Sequence, residues 1–351
     1  MKLSRLTIGL ASMAVVAAGC LLSCGPEGDG GGEGGANGNG EPNGDPGEPS
    51  SGWQEAWESE DYETILGWYE ENVGFLGDEE ELEELSGPRN SQSDGQVIED
   101  FVMNWEADWN QPALVILHDD VVVRNCVIRH DGPSNGIRVD SQARGVVIEN
   151  CTFDGGHSDY GTGREDGNYG NIAVVIEGEA TVRRNRIFGV RSGIRVTPGS
   201  VVEENFVDSL HRNAPDVSMS SISRRGNERE GTSVIRRNLV EAGSSAAITQ
   251  YADSAPVRDS VVEENLMVGV GLGFGVYGGR THGPEHKENN RDIVIDGNRF
   301  HGEFGFPNVL GDGTNTAVDL DRPGNTFESN RWLGADEDLP ARCGIGQDAC
   351  E

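Results

Sequence analysis

Val182-Arg183-Arg184-Asn185-Arg186-Ile187, Val202-Glu203-Glu204-Asn205-Phe206-Val207 and Ile235-Arg236-Arg237-Asn238-Leu239-Val240 repeat one pattern. An apolar residue leads, two mostly polar residues follow, then Asn or Cys, then any residue, then a second apolar residue. Upstream the pattern returns as Val123-Arg124-Asn125-Cys126-Val127-Ile128 and Ile148-Glu149-Asn150-Cys151-Thr152-Phe153. Downstream it returns as Val262-Glu263-Glu264-Asn265-Leu266-Met267, Ile295-Asp296-Gly297-Asn298-Arg299-Phe300 and Phe327-Glu328-Ser329-Asn330-Arg331-Trp332. The fourth positions are Cys126, Cys151, Asn185, Asn205, Asn238, Asn265, Asn298 and Asn330, separated by 25, 34, 20, 33, 27, 33 and 32 residues. Every gap is long enough for one coil of a wide solenoid, which needs about 20 residues.

A second, weaker motif falls between most copies: Gly136-Ile137-Arg138-Val139, Gly193-Ile194-Arg195-Val196, Ala247-Ile248-Thr249 and Gly275-Val276-Tyr277. Each coil therefore carries at least two short strands, with alternate apolar residues inward and the others toward solvent. The fourth-position residue sits at a turn, where an Asn amide can bond backbone and the same Asn one coil away. Eight such positions make a side-chain ladder. Because each coil buries its inner face only against its neighbours, both ends need caps.

This pattern resembles the right-handed parallel β-helix of pectate-lyase-like proteins, over about 215 of the 351 residues. The resemblance implies an all-β fold, a single-stranded right-handed parallel β-helix solenoid of about eight coils, placed at residues 111–333. Residues 53–110 then read as an acidic, partly helical N-terminal cap. Trp53, Trp57, Ile65, Leu66, Trp68, Tyr69, Val73 and Leu76 give it an amphipathic helical face, expected over the first coil. Residues 334–351 are too polar for another coil and read as the C-terminal cap.

The ends of the chain carry a different message. Residues 1–24 have a basic start (Lys2, Arg5), an apolar run from Leu6 to Ala18, and small residues before a cysteine, which is a secretory signal. It resembles a bacterial lipoprotein signal, with Cys20 as the lipidated residue and Cys24 as the alternative. Residues 25–52 are almost all Gly, Glu, Asp, Asn, Pro and Ser and read as a disordered tether, spanning roughly 30 Å as a flexible coil. With no Asp after the lipid cysteine, the resemblance implies an outer-membrane lipoprotein, periplasmic or surface-facing. Residues 25–110 hold 24 Asp and Glu against the single Arg89, within a net charge of −33. That balance argues against a nucleic-acid partner, which needs a positive contact face. A monomer is expected.

Export permits disulfides. Cys343 and Cys350 would close a short loop in the C-terminal cap. Cys126 and Cys151 share the ladder position on adjacent coils, about 4.8 Å apart, within reach of a bridge. Free thiols filling the ladder are the favoured reading, since stacked parallel side chains do not readily reach a disulfide dihedral.

Chemistry is expected in the loops 154–172, 208–232, 251–259, 278–292 and 301–320. A uronate lyase needs a base and a cation or Ca²⁺ to stabilise the enolate. Lys287 is the one lysine after Lys2. It lies in Gly279-Arg280-Thr281-His282-Gly283-Pro284-Glu285-His286-Lys287, with Arg291 four residues on. Lys287, His282, His286 and Arg291 are the catalytic candidates, and Arg138, Arg195, Tyr277 and Arg280 the substrate-binding ones. The acidic run Asp78–Glu84 reads as a solvated helix end more readily than a Ca²⁺ site, and no metal ligand set is assigned. Asp119-Asp120 reads as a turn. Polysaccharide is the expected partner, handled by a lyase-like or hydrolytic enzyme or a degenerate relative. The competing reading is a non-catalytic module for adhesion or envelope structure.

Overall fold

The computed structural model describes residues 49–339 except 88, 107–110, 132–134, 157–171, 209, 211–219, 253–254, 272, 279–288, 305–319 and 321. The strands pair in parallel, in one sheet of seventeen strands and one of eight. Each coil runs strand, one-residue bend, strand, connection, strand. The strand before the bend builds a first face (for example Val201–Glu203, Ser233–Arg236 and Arg258–Glu263). The strand after it builds a second (Phe206–Val207, Leu239–Glu241, Leu266–Val270). The eight-stranded sheet is the third, including Asn135–Val139, Ser192–Val196, Ser220–Arg225, Ala246–Tyr251 and Phe274–Gly278. Apolar residues from all three faces fill one interior, among them Ile148, Phe153, Val182, Ile194, Ile235, Ile248, Val262 and Phe300. This is the parallel β-helix that the repeat implies.

The bend explains the motif. The residue before each fourth position is left-handed, with φ between 50° and 62° at Asp100, Asn125, Asn150, Arg184, Glu204, Arg237, Glu264, Gly297 and Ser329. A non-glycine residue there costs about 1 kcal/mol, so the turn needs compensation on every coil. On the coils from Asn185 to Asn330 the asparagines supply it. Asn238 Oδ1 accepts from Asn205 N at 2.9 Å and from Asn205 Nδ2 at 3.0 Å. Asn238 Nδ2 donates to the Arg236 and Val202 carbonyls and to Asn265 Oδ1. The same set recurs from Asn185 through Asn265 to Asn298, and Asn330 closes the column.

Three expectations change. Cys126 and Cys151 are bonded to each other rather than free; in-register stacking brings their Cα atoms to 4.5 Å. Parallel pairing also begins earlier than residue 111. Ile98-Glu99-Asp100-Phe101-Val102-Met103 is a further coil, hidden from the motif by Phe101 in the ladder position, and it lies in the strand Val97–Glu106. Glu83–Leu85 pairs with Phe101–Met103 in turn.

The third change concerns the helices, α1 (Trp53–Glu58) and α2 (Tyr62–Asn72). They do not sit on the first coil. Trp53, Trp57, Ile65, Trp68 and Tyr69 pack against Phe206, Leu239, Leu266 and Val268, on the outside of the second face. The cause is visible in the sequence. The residue after the ladder Asn points outward, and it is apolar on three successive coils, which leaves an apolar stripe that two amphipathic helices cover. Arg237 and Arg299 lie over the rings of Trp53 and Trp57. Glu60 pairs with Arg299 and Arg331, and the Tyr69 hydroxyl donates to the Arg237 carbonyl. The end of the segment read as tether is also held: Ser50 N donates to Glu204 Oε1 at 2.9 Å. At the other end, the chain after Trp332 turns back, and Leu339 N bonds the Asn330 carbonyl.

Candidate functional site

On the third face, Ile137, Val139, Ile194, Val196, Ile222, Ile248 and Val276 are buried in the interior. The residues between them therefore point away from the interior, and of these Val175, Ser223 and Thr249 are nonetheless buried. Register stacks Arg138 on Val175, Val175 on Arg195, Arg195 on Ser223, Ser223 on Thr249 and Thr249 on Tyr277. Three of the residues proposed from sequence to hold substrate, Arg138, Arg195 and Tyr277, thus share one outward column. Arg225, which ends the strand Ser220–Arg225, lies in register with Tyr251.

The electrostatics of this column are unusual. Arg138, Arg195 and Arg225 make no ion pair among the described residues. Burial holds the Arg195 guanidinium down to a pKa of about 10, and the like charges of Arg225 and Arg191 act the same way, with Glu177 opposing. Further along the same face, next to Arg225, the rings of Tyr251 and Tyr277 lie 6.0 Å apart. The Tyr251 hydroxyl meets Ser245 Oγ at 2.9 Å, and Thr249 Oγ1 donates to Ser220 Oγ at 3.1 Å. Guanidinium groups with no ion pair among the described residues, on a face that also carries fixed hydroxyls and aromatic rings, suit a polar, anionic ligand, since the Arg fork takes a carboxylate on two parallel bonds.

The other candidates divide. Lys287, His282, His286 and Arg280 lie outside the described residues, as do Cys20, Cys24, Cys343 and Cys350. Arg291 opens the strand Arg291–Asp296 of the seventeen-stranded sheet and faces Asp292 at 3.5 Å, so it is not in the arginine column. Arg225, Arg191 and Tyr251 escaped the sequence reading. The strand Ser220–Arg225 carries Ser-Ile-Ser-Arg where other coils carry Gly-Ile-Arg-Val, so its arginines sit one and two places late. Asp119 and Asp120 do form a turn, with Asp120 left-handed and Asp119 Oδ1 accepting from Arg144 N at 2.8 Å. The acidic run folds as a short 3-10 turn (Glu79–Glu81), and Glu79 pairs with Arg129. Among the described residues no three His, Cys, Asp or Glu side chains are grouped to hold a metal ion.

No curated protein and no solved structure matches the chain. A family model for right-handed β-helix regions does match it, over residues 107–290. That span is more than half of the sequence and covers the third face from before Arg138 to beyond Tyr277, and the protein belongs to the right-handed β-helix family.

Proposed function

We propose that this is an exported, lipid-anchored β-helix protein that holds an anionic polysaccharide along its third face. The observation that carries the reading is the set of arginines without an ion pair among the described residues, Arg138, Arg195 and Arg225, on the face that also carries Tyr251 and Tyr277. A chain of sugars would run across the coils, parallel to the solenoid axis, with carboxylates at the guanidinium groups. Catalysis as a lyase or hydrolase would draw on Lys287, His282 and His286 in the loop between Phe274–Gly278 and Arg291–Asp296. Without them the same face makes a binding module for adhesion or envelope structure.

The test is an unsaturated-product assay with a panel of uronate polysaccharides, with and without Ca²⁺, read near 235 nm and paired with direct binding to the same panel. Binding that Arg195→Gln weakens at least tenfold supports the reading. A product signal that Lys287→Ala abolishes makes it a lyase. No binding to any acidic glycan overturns it. For the anchor, incorporation of labelled fatty acid that Cys20→Ala or Cys24→Ala removes is expected, and incorporation by neither cysteine overturns that part.

A further inference from the structure

The solenoid interior is apolar along the third face for several coils and then changes. The inward position runs Ile116, Val139, Ile176 and Val196, all fully buried. The next two rungs are Arg224 and Gln250, in register with Val196 and with each other. Arg224 is 1% exposed and Gln250 0%. Across the corner, Ser233 and Ser260 stack on the same two coils of the first face, equally buried.

Arg224 gives Nε to Ser233 Oγ and Nη2 to the Arg258 carbonyl. Its Nη1 has no partner, and neither do Oε1 and Nε2 of Gln250 or Oγ of Ser260. No carboxylate bonds the guanidinium among the described residues. Asp259 favours its charge from an exposed bend, while burial works against it. A buried cation without a counter-charge is costly, and so is each unfilled donor around it. Three of those donors, Arg224 Nη1, Gln250 Nε2 and the Ser260 hydroxyl, belong to consecutive coils at one level. Ile222, Ile235, Ile248 and Val262 wall the level off from solvent.

We propose that this level of the solenoid binds one small inorganic anion of halide size. Nη1, Nε2 and the Ser260 hydroxyl would donate to it, and its charge would complete the ion pair that Arg224 lacks. Water alone fills donors but leaves the charge uncompensated. Oxyanions such as sulfate do not fit between coils stacked about 4.8 Å apart. The anion would stand directly behind Arg225, the outward neighbour of Arg224, and so fix the strand that carries part of the arginine face.

The test compares thermal unfolding of the purified chain in sodium chloride, sodium bromide and sodium gluconate at equal ionic strength, gluconate being too large to enter. A rise in Tm of about 3 °C in either halide is expected. It should vanish in Arg224→Met and shrink in Gln250→Leu, which keeps the charge and so serves if Arg224→Met does not fold. Crystals grown in bromide should show an anomalous peak within hydrogen-bond distance of Arg224 Nη1. Equal Tm in halide and gluconate, or a bromide crystal with only water at that level, overturns the proposal.

Discussion

On the first face, the position two residues before the ladder runs Glu99, Arg124, Glu149, Arg183, Glu203, Arg236 and Glu263 through successive coils. On the third face, the outward column runs Arg138, Val175, Arg195, Ser223, Thr249 and Tyr277. Both columns stack in register. In the first, sign alternates from Glu99 to Glu263 and every arginine there is paired: Arg124 with Glu99, Arg183 with Glu149, Arg236 with Glu203; beyond it the acids Asp296 and Glu328 follow Glu263 with no arginine between. The bend residues join in, as Arg184 reaches Glu149 and Arg237 reaches Glu203 and Glu204. In the third face no acid is interleaved. Parallel in-register stacking forces like positions to about 4.8 Å, where two unit charges interact strongly unless water screens them. A solenoid must therefore alternate its charges, dilute them, or leave them for something outside the chain. The first face alternates from Glu99 to Glu263, and the third carries arginines that make no ion pair among the described residues.

Removing an acid from the middle of the alternating column should have the largest effect. Glu203 is buried and takes Arg236 Nε at 2.9 Å and Arg237 Nη2 at 3.2 Å. Glu203→Gln removes the carboxylate shared by two largely buried guanidinium groups, leaving Arg236 with Glu263 at 3.9 Å and Arg237 with Glu204 at 3.4 Å, at a cost of about 3 kcal/mol. Urea unfolding with unchanged m-value measures it, and a loss under about 1 kcal/mol would mean the alternation is not structural.

The second face offers an acid between these extremes. Asp208 is paired with Arg186 at 3.0 Å, yet burial raises its pKa to about 6, with Glu241 adding to the rise. Its folded value stands above the ordinary 3.8, so the folded state holds the proton more tightly. That stability is fully present below about pH 4 and is lost as pH rises through 6, amounting to about 2 kcal/mol. Unfolding measured from pH 4 to 7 should show this falling limb, and Asp208→Asn should flatten it. A limb unchanged in the variant would assign the pH dependence elsewhere.

The first-face pattern could be read directly from the residues. Apolar, charged, charged, Asn, any, apolar is a local signal, because bend, ladder and interior each fix one residue type within six positions. Phe101 broke the signal at one position, and a coil went unseen. The helices were legible as helices from Trp53, Trp57, Ile65 and Trp68, but not their place. That depended on Phe206, Leu239 and Leu266 forming one stripe, which exists only after stacking. Arg138, Arg195 and Tyr277 were found because Gly-Ile-Arg-Val repeats. Arg225 was not, because its strand is offset. The emptiness of the arginine column was beyond any local reading, since an ion pair here is a fact about the next coil, 20 or more residues away.

Arg195→Gln inverts the first experiment. It deletes a desolvated charge flanked by like charges, so stability should hold or rise by up to about 1 kcal/mol, while affinity for acidic glycans falls. A clear loss of stability would show that Arg195 has a partner within the chain and would dissolve the contrast between the faces.

Arg124→Gln should do least. Arg124 meets Glu99 at 2.6 Å, which is geometrically as good a pair as Arg236 with Glu203 at 2.8 Å. The two differ in solvent. The Arg124 and Glu99 side chains keep 35% and 39% of their exposure, against 17% and 6% for Arg236 and Glu203. Exposed pairs contribute about 0.5 kcal/mol or less and fade with salt. Comparing Arg124→Gln with Glu203→Gln at low and high ionic strength therefore separates position in the column from burial. If both lose stability equally, alternation itself stabilises the stack; if Arg124→Gln is nearly silent, the column matters only where the helices and neighbouring coils have removed water.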